Sequence, residues 1–140
     1  MDETTLRADG WSPIEVEGFC STISPLWVKG EPGARTVGLL VRPEHANVHL
    51  RTLYGGALMT FADAALSLGV GEVLEGMFAV TAQLQTYFVA AARIGDLVEC
   101  KPEIMRRTKD MVFVRALLTV NERTVAGADG IWKVIDPART

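Results

Sequence analysis

The stretch from Leu53 to Val70 constrains the fold more than any other part of this 140-residue chain. Between Thr52 and Gly71 there is one charged residue, Asp63, and most of the other side chains are apolar or small. A helix that is apolar on every side is a buried helix. Because a lone carboxylate in such a helix is costly unless something satisfies or uses it, Asp63 is the first candidate for a functional residue.

The glycine pair Gly55-Gly56 marks the point where the backbone turns into this predicted helix. The first N–H groups of a helix have no partner within the helix, and together they form a site for an oxyanion. Asp63 on the same helix can serve as a general base. The stretch therefore predicts acyl chemistry, which needs both oxyanion donors and a base.

Helical spacing places Thr60 and Ser67 on the face of Asp63, as a short polar stripe. Asp63 lies seven residues after Gly56, which is about 10 Å along a helix axis. Oxyanion donors and base must both lie about 3 Å from one reacting centre. We therefore expect two antiparallel copies to meet, with the Gly55-Gly56 end of one facing Asp63 of the other.

Two non-catalytic interpretations of this helix compete with the functional one. Asp63 can be a buried carboxylate that is hydrogen-bonded to Thr60, Ser67 or water, with no chemical role. The run is also long enough to span a membrane, but Asp63 near its middle would cost about 2.5–3.5 kcal/mol, and no second span exists. The glycine start, the polar stripe and the isolated charge together favour a functional core helix.

Composition indicates one globular domain over residues 1–140, with 49% hydrophobic and 22% charged residues. The net charge of −3 provides no basic field for nucleic acid. The first residues lack the basic end and apolar run of a signal peptide. With only Cys20 and Cys100, a disulfide framework is not expected, and the chain is expected to be cytoplasmic. His45 and His49 lack a third ligand, so they are expected to be ordinary polar loop residues, and no metal site is predicted.

Hydrophobic periodicity predicts one long helix, ending at about residues 69–76, and a series of strands. Residues 1–10 are expected to be disordered, and Ser12-Pro13 is typical of a helix start, with a short helix running toward Cys20. The predicted strands span 26–29, 35–41, 80–88, 97–105, 111–120 and 124–135. This is an α+β pattern, and an antiparallel sheet that curves around the apolar helix satisfies it best.

Three local features refine the strand predictions. In the strand 80–88, Val80, Leu84 and Phe88 alternate with Thr81 and the glutamines, which predicts opposite faces for the two sets. Pro102 within 97–105 indicates an edge or a bulge. Residues 106–110 are expected to form a basic turn.

The chain resembles the hotdog-fold acyl-CoA thioesterases, in the phenylacetate-pathway-like branch of the 4-hydroxybenzoyl-CoA thioesterase superfamily. The likeness covers nearly the whole chain and is most specific from Gly55 to Asp63. The other matching segments are Ser24-Pro25-Leu26-Trp27-Val28, Pro43-Glu44-His45-Ala46-Asn47, Val80-Thr81 and 91–96. The resemblance implies a curved sheet around a central helix and a homodimer, often paired into a tetramer, with active sites between subunits. It implies no cofactor, since coenzyme A enters as part of the acyl-CoA substrate.

By position, Asp63 resembles the family's catalytic carboxylate, as general base or as nucleophile. Gly56 and Gly55 would donate backbone N–H groups to the thioester oxygen. Asn47 matches an asparagine that orients the site, and Thr81 falls where relatives carry a Ser or Thr near the attacking water.

The loop before the helix departs from the family pattern in two ways. Tyr54 replaces the usual His before Gly-Gly, and its hydroxyl can still donate a hydrogen bond to the carbonyl. The segment from Asn47 to Gly55 is also one residue longer, with Arg51 near a common Gly position. The acyl group is not specified by any of these residues.

Basic residues beyond the helix are candidates for the phosphates of coenzyme A. They are Arg106, Arg107 and Lys109 in the predicted turn, and Arg93 in the earlier predicted turn Arg93-Ile94-Gly95-Asp96. A solvated hairpin tip is an equally good account of them. Thr60 and Ser67 are the candidate substrate-binding residues on the helix.

Two other functions are compatible with the same scaffold, because a fold does not determine the chemistry. A hydratase or dehydratase of acyl-CoA would need an Asp/His pair, and no His accompanies Asp63 on its helix. A non-catalytic acyl-CoA binding or sensing module is favoured somewhat by the changes at Tyr54 and in its loop.

Overall fold

The computed structural model describes residues 1–139 and shows eight strands and two α-helices in that range. The helices are α1 (Glu3–Ala8) and α2 (Gly55–Gly71). The strands are β1 (Ser12–Ile14), β2 (Leu26–Lys29), β3 (Thr36–Leu40), β4 (Phe78–Phe88), β5 (Leu97–Cys100), β6 (Glu103–Arg107), β7 (Met111–Val120) and β8 (Arg123–Ile135). Short 3-10 helices cover Gly18–Ile23, Pro43–His45 and Pro137–Arg139.

All strand pairs are antiparallel, in the order β1-β2-β3-β5-β7-β8-β4, and β6 pairs with β7 beside this path. Helix α2 contacts six of the strands, β3 to β8, so the sheet encloses it. The buried side of α2 consists of Leu58, Phe61, Ala62, Ala65, Leu66 and Val70. The predicted α+β architecture, an antiparallel sheet around one central helix, is confirmed.

One glycine of α2 is required by packing against the sheet. A Cβ atom on Gly69 would lie 2.5 Å from Cβ of Pro102. A glycine at this position therefore lets the helix approach the break between β5 and β6. No helix among the described residues has both the length and the apolarity that crossing a membrane requires.

The expectation for the N-terminal segment is wrong in two places. Residues 3–8 form α1, in which Asp2 accepts the Thr5 N–H at 2.8 Å as the N-cap. Leu6 is fully buried in a second, smaller core with Trp11, Trp27 and Leu97. The segment at Ser12-Pro13 is strand β1 rather than a helix, because it pairs with β2 and a residue before proline favours extended backbone.

Strand β4 lies at the end of the sheet order and pairs with β8. A bulge falls between Thr81 and Gln83. The side chains before and after the bulge therefore do not follow one continuous alternation between the two faces of the sheet. Thr81 consequently points to the helix, with Leu84 after the bulge on the same side. The prediction of a strict alternation, which placed Thr81 and Leu84 on opposite faces, is wrong for this physical reason.

Two expectations about the next strands also change. The predicted strand 97–105 is interrupted at Pro102 and becomes β5 and β6, since proline cannot donate to the ladder. Arg106 and Arg107 belong to β6, so the turn before β7 contains only Thr108, Lys109 and Asp110.

Candidate active site

The half-buried carboxylate of Asp63 is hydrogen-bonded to the edge strand. Thr81 Oγ1 donates to Asp63 Oδ1 at 2.6 Å. The bulge in β4 is what turns Thr81 toward α2. Within the described residues Asp63 has no cationic partner, so a neutral hydroxyl is the group that holds this carboxylate in place.

The other polar side chains of the helix stripe are engaged elsewhere. Thr60 Oγ1 donates to the backbone oxygen of Gly56 at 2.8 Å, within the same helix. Ser67 Oγ accepts a hydrogen bond from Trp132 Nε1 at 3.0 Å. Neither hydroxyl bonds to Asp63, so the alternative in which Asp63 is satisfied by Thr60 or Ser67 does not apply.

The N-terminus of α2 offers unpaired backbone donors. Tyr54 occupies the N-cap position, but its side chain makes no capping bond. Within the part of the chain that is described, the N–H groups of Gly55 and Gly56 have no hydrogen-bond partner. A Cβ atom on Gly56 would lie 2.9 Å from Cε2 of Tyr54, which shows that the tyrosine ring lies beside these donors. Tyr54 is 60% exposed.

The loop before α2 is held by Asn47. Its side-chain amide donates to Thr52 Oγ1 at 2.9 Å, and its side-chain oxygen accepts the Leu50 N–H at 2.7 Å. Arg51 in this loop has φ +57°, a conformation that favours glycine. Asn47 therefore shapes the loop that leads to Tyr54, and its amide is already bonded within that loop.

The basic residues separate into two groups. Arg107 and Lys109 line a cleft of about 500 Å³ together with Lys133, Met77 and the carboxylates Asp110 and Asp136. Arg106 points to the opposite face of β6, because it pairs with Phe113 whereas Arg107 pairs with Val112. Arg93 lies apart, in the turn that Asp96 closes by accepting the Arg93 N–H at 2.8 Å.

Sequence reasoning missed two residues near these sites. Lys133 joins the basic cleft because β8 pairs it with Met111, next to the turn that carries Lys109. His45 is buried, with 3% of its surface exposed, although the sequence indicated an ordinary loop residue. Burial lowers the pKa of His45 below 6.5, with a smaller effect of Arg42 in the same direction. Among the described residues, no cluster of three potential metal ligands occurs.

The sequence profile of the "Thioesterase superfamily" matches residues 50–126, more than half of the chain, including Tyr54 to Asp63. A relative from Pseudomonas aeruginosa, named "Putative esterase PA0474", is 34% identical over 99 residues. That alignment covers 69% of this chain and 72% of the relative.

Solved structures of other proteins share the architecture. Zebrafish thioesterase superfamily member 2 has a TM-score of 0.77 and 22% identity, over 87% of this chain and 89% of that protein. The Escherichia coli PaaI protein from the phenylacetic acid degradation operon has a TM-score of 0.69 and 20% identity, over 96% of this chain and 86% of that protein. These likenesses confirm the hotdog fold. The chain belongs to the thioesterase superfamily and is a hydrolase that acts on thioesters.

Proposed function

We propose that this protein hydrolyses acyl-CoA thioesters at a site built from Asp63 and the N-terminus of α2. The observation that carries the proposal is the Thr81–Asp63 hydrogen bond of 2.6 Å on a helix that begins with free glycine N–H groups. A positioned carboxylate and positioned N–H donors are the two groups that hydrolysis of a thioester needs.

In the proposed reaction Asp63 removes a proton from water, and the water oxygen attacks the thioester carbonyl carbon. The carbonyl oxygen becomes an oxyanion, which the N–H groups of Gly55 and Gly56 stabilise. Collapse of the intermediate breaks the C–S bond. Asp63 returns its proton to the leaving sulfur, so coenzyme A leaves as the thiol and the acyl group leaves as a carboxylic acid. Direct attack by Asp63, followed by hydrolysis of the anhydride, uses the same groups.

The site requires two copies of the chain in this proposal, because one straight helix separates Gly56 from Asp63 by about 10 Å. Two features of the surface support a homodimer. Strand β4 has an unpaired edge among the described residues and exposes Phe78, Val80 and Phe88. Such an edge favours pairing with another strand. The proposal leaves the choice between dimer and tetramer open.

A mixing experiment tests the shared site. The variants Asp63→Asn and Gly56→Val are each expected to be inactive. Asn cannot act as the base, and the Val side chain would clash with the Tyr54 ring beside the N–H donors, so each variant disables one half of every site. In a random mixture, half of the dimers carry one intact site, so about a quarter of wild-type activity should return. Activity that stays at the sum of the two separate variants would contradict a site between chains.

We propose that the basic cleft receives the phosphates of coenzyme A. Arg107, Lys109 and Lys133 place three cations around it, and guanidinium and ammonium groups are the usual partners of phosphate. Asp110 and Asp136 at the same cleft would restrict where the phosphates bind. Arg106 and Arg93 are outside this site.

The direct test of the substrate class is thiol release from thioesters that share one acyl group. Acyl-CoA, acyl-dephospho-CoA and acyl-pantetheine should be hydrolysed with kcat/KM falling in that order, because phosphates are lost stepwise. Equal kcat/KM on all three would show that the nucleotide is not recognised and would contradict the proposed phosphate site, whereas no thiol release from acyl-CoA would contradict the substrate class. A panel of acyl chains then identifies the acyl group.

A further inference from the structure

Among the described residues, His45 is the only buried residue with a polar or charged side chain. It lies in the 3-10 turn Pro43–His45, ahead of the loop that leads to α2. A buried imidazole must have partners for its ring nitrogens, since an unsatisfied buried polar group is costly. The partners of His45 therefore indicate which parts of the chain it connects.

Both ring nitrogens of His45 are bonded to backbone groups. The backbone N–H of Arg42 donates to Nδ1 at 3.1 Å, and Nε2 lies 3.0 Å from the backbone oxygen of Thr22. Because Nδ1 accepts, Nε2 must carry the proton that is donated to Thr22. This arrangement requires the neutral imidazole, as a second proton on Nδ1 would break the bond from Arg42.

Two charged groups act on the ring. The guanidinium of Arg42 lies 3.3 Å from Nε2 and opposes protonation, whereas Glu44 favours it. Arg42 and Glu44 are themselves an ion pair, with Nε and Oε1 2.6 Å apart. Burial has the largest effect on the pKa of His45 and lowers it, so the neutral form predominates at pH 7.

The backbone of His45 continues this connection to the helix. Its carbonyl accepts a hydrogen bond from the N–H of Tyr54 at 2.9 Å, and the neighbouring residues Ala46 and Leu53 form an antiparallel β-bridge. Tyr54 directly precedes the two glycines whose N–H groups are free. A single residue thus joins the 3-10 helix Gly18–Ile23, through its ring, to the start of α2, through its carbonyl.

We propose that His45 is a positioning residue for the oxyanion donors: its neutral ring fixes the loop from which Tyr54, Gly55 and Gly56 enter the helix. This inference rests on the proposed function of those N–H groups. His45 does not touch the substrate, so its loss should reduce kcat rather than raise KM. A misplacement of 1 Å at a reacting centre is enough for a loss of roughly a hundredfold.

The experiment combines NMR of the Gly55 and Gly56 amides with thioester hydrolysis. His45→Asn keeps an acceptor near the position of Nδ1 and loses the donor to Thr22, while His45→Gln keeps a donor and loses the acceptor. His49→Asn is the matched control, because His49 is exposed in the same loop. Both His45 variants should shift the two amide signals and lower kcat roughly ten- to a hundredfold, with KM within about threefold. His49→Asn should change neither.

The wild-type protein provides an independent arm if a His45 variant does not fold. When the pH is lowered, the Gly55 and Gly56 amide signals should move with the same midpoint as the His45 ring protons. The proposal would be overturned by amide signals that do not change when His45 titrates, or by amide signals that are unshifted in a folded His45→Asn protein. Shifted amides with wild-type kcat would also overturn it. A wild-type protein that does not hydrolyse acyl-CoA would instead refute the proposed function, and the amide signals would still test the positioning.

Discussion

The hydroxyl of Thr81 donates a 2.6 Å hydrogen bond to the carboxylate of Asp63 and joins the edge strand β4 to the central helix α2. This contact exists because a bulge after Thr81 turns its side chain toward the helix. The bond occupies one carboxylate oxygen and leaves the other for water. The orientation of Asp63 therefore depends on a residue 18 positions further along the chain.

Replacing Thr81 should lower the rate of the chemical step without unfolding the protein. A hydrogen bond to a charged group contributes about 1.5–3 kcal/mol, so Thr81→Val should lower kcat by roughly ten- to a hundredfold. Thr81→Ser keeps the hydroxyl and should retain most of the activity. Steady-state kinetics of the two variants provide the measurement, and equal rates in both would show that the bond has no role in catalysis.

Substitutions in the basic cleft should separate binding from chemistry. Arg107→Ala combined with Lys133→Ala should raise KM for acyl-CoA and change kcat little, because both residues line the proposed phosphate site. KM for the acyl-pantetheine should stay constant. Arg106→Ala is the matched control, since Arg106 lies on the other face of β6. A rise in KM for both substrates would exclude contact with the nucleotide.

Ser67 should matter for stability more than for substrate binding. Ser67→Ala leaves Trp132 Nε1 without its acceptor, and an unsatisfied buried donor costs about 1–3 kcal/mol. The free energy of unfolding in urea should fall by that amount, with KM unchanged. Trp132 is 1% exposed, so water cannot readily replace the serine. A raised KM with unchanged stability would favour the substrate-binding role that the sequence indicated.

Stability should depend on pH through His45. Its pKa in the folded protein is lowered below 6.5, mainly by burial, whereas the unfolded chain binds a proton near 6.5. The contribution of His45 to the free energy of unfolding is therefore present above pH 6.5 and is lost as the pH falls toward the pKa of His45 in the folded protein. Urea unfolding of the wild type, measured from about pH 5 to 8, should show this loss as a lower free energy of unfolding at the acidic end. His45→Gln should lack that part of the pH dependence.

Much of the fold follows from the sequence, because the apolar helix and the alternating strands are strong periodic patterns. The central helix was predicted to end at about residues 69–76 and ends at Gly71. The N-terminal helix was not predicted, since its burial depends on one residue, Leu6, that packs on Trp27 from a distant segment. Local pattern does not reveal such tertiary contacts.

The candidate site was only partly visible in the sequence for related reasons. Asp63 and the glycine pair could be found as a lone charge and a helix start. The hydrogen bond from Thr81 to Asp63 could not be found in this way, because a one-residue bulge reverses the side-chain alternation that the pattern implies. The burial of His45 and the place of Lys133 likewise depend on strand register and on contacts between distant segments.

The proposed function depends most on Asp63 as the group that performs the hydrolysis of an acyl-CoA thioester. The most direct measurement is thiol release from acyl-CoA by the wild type and by Asp63→Asn, after circular dichroism has shown equal helix content. Asn preserves the shape of the side chain and the hydrogen bond from Thr81 but cannot take a proton. The value of kcat should fall by about a hundredfold or more in the variant. A folded Asp63→Asn protein that releases thiol at the wild-type rate would contradict it.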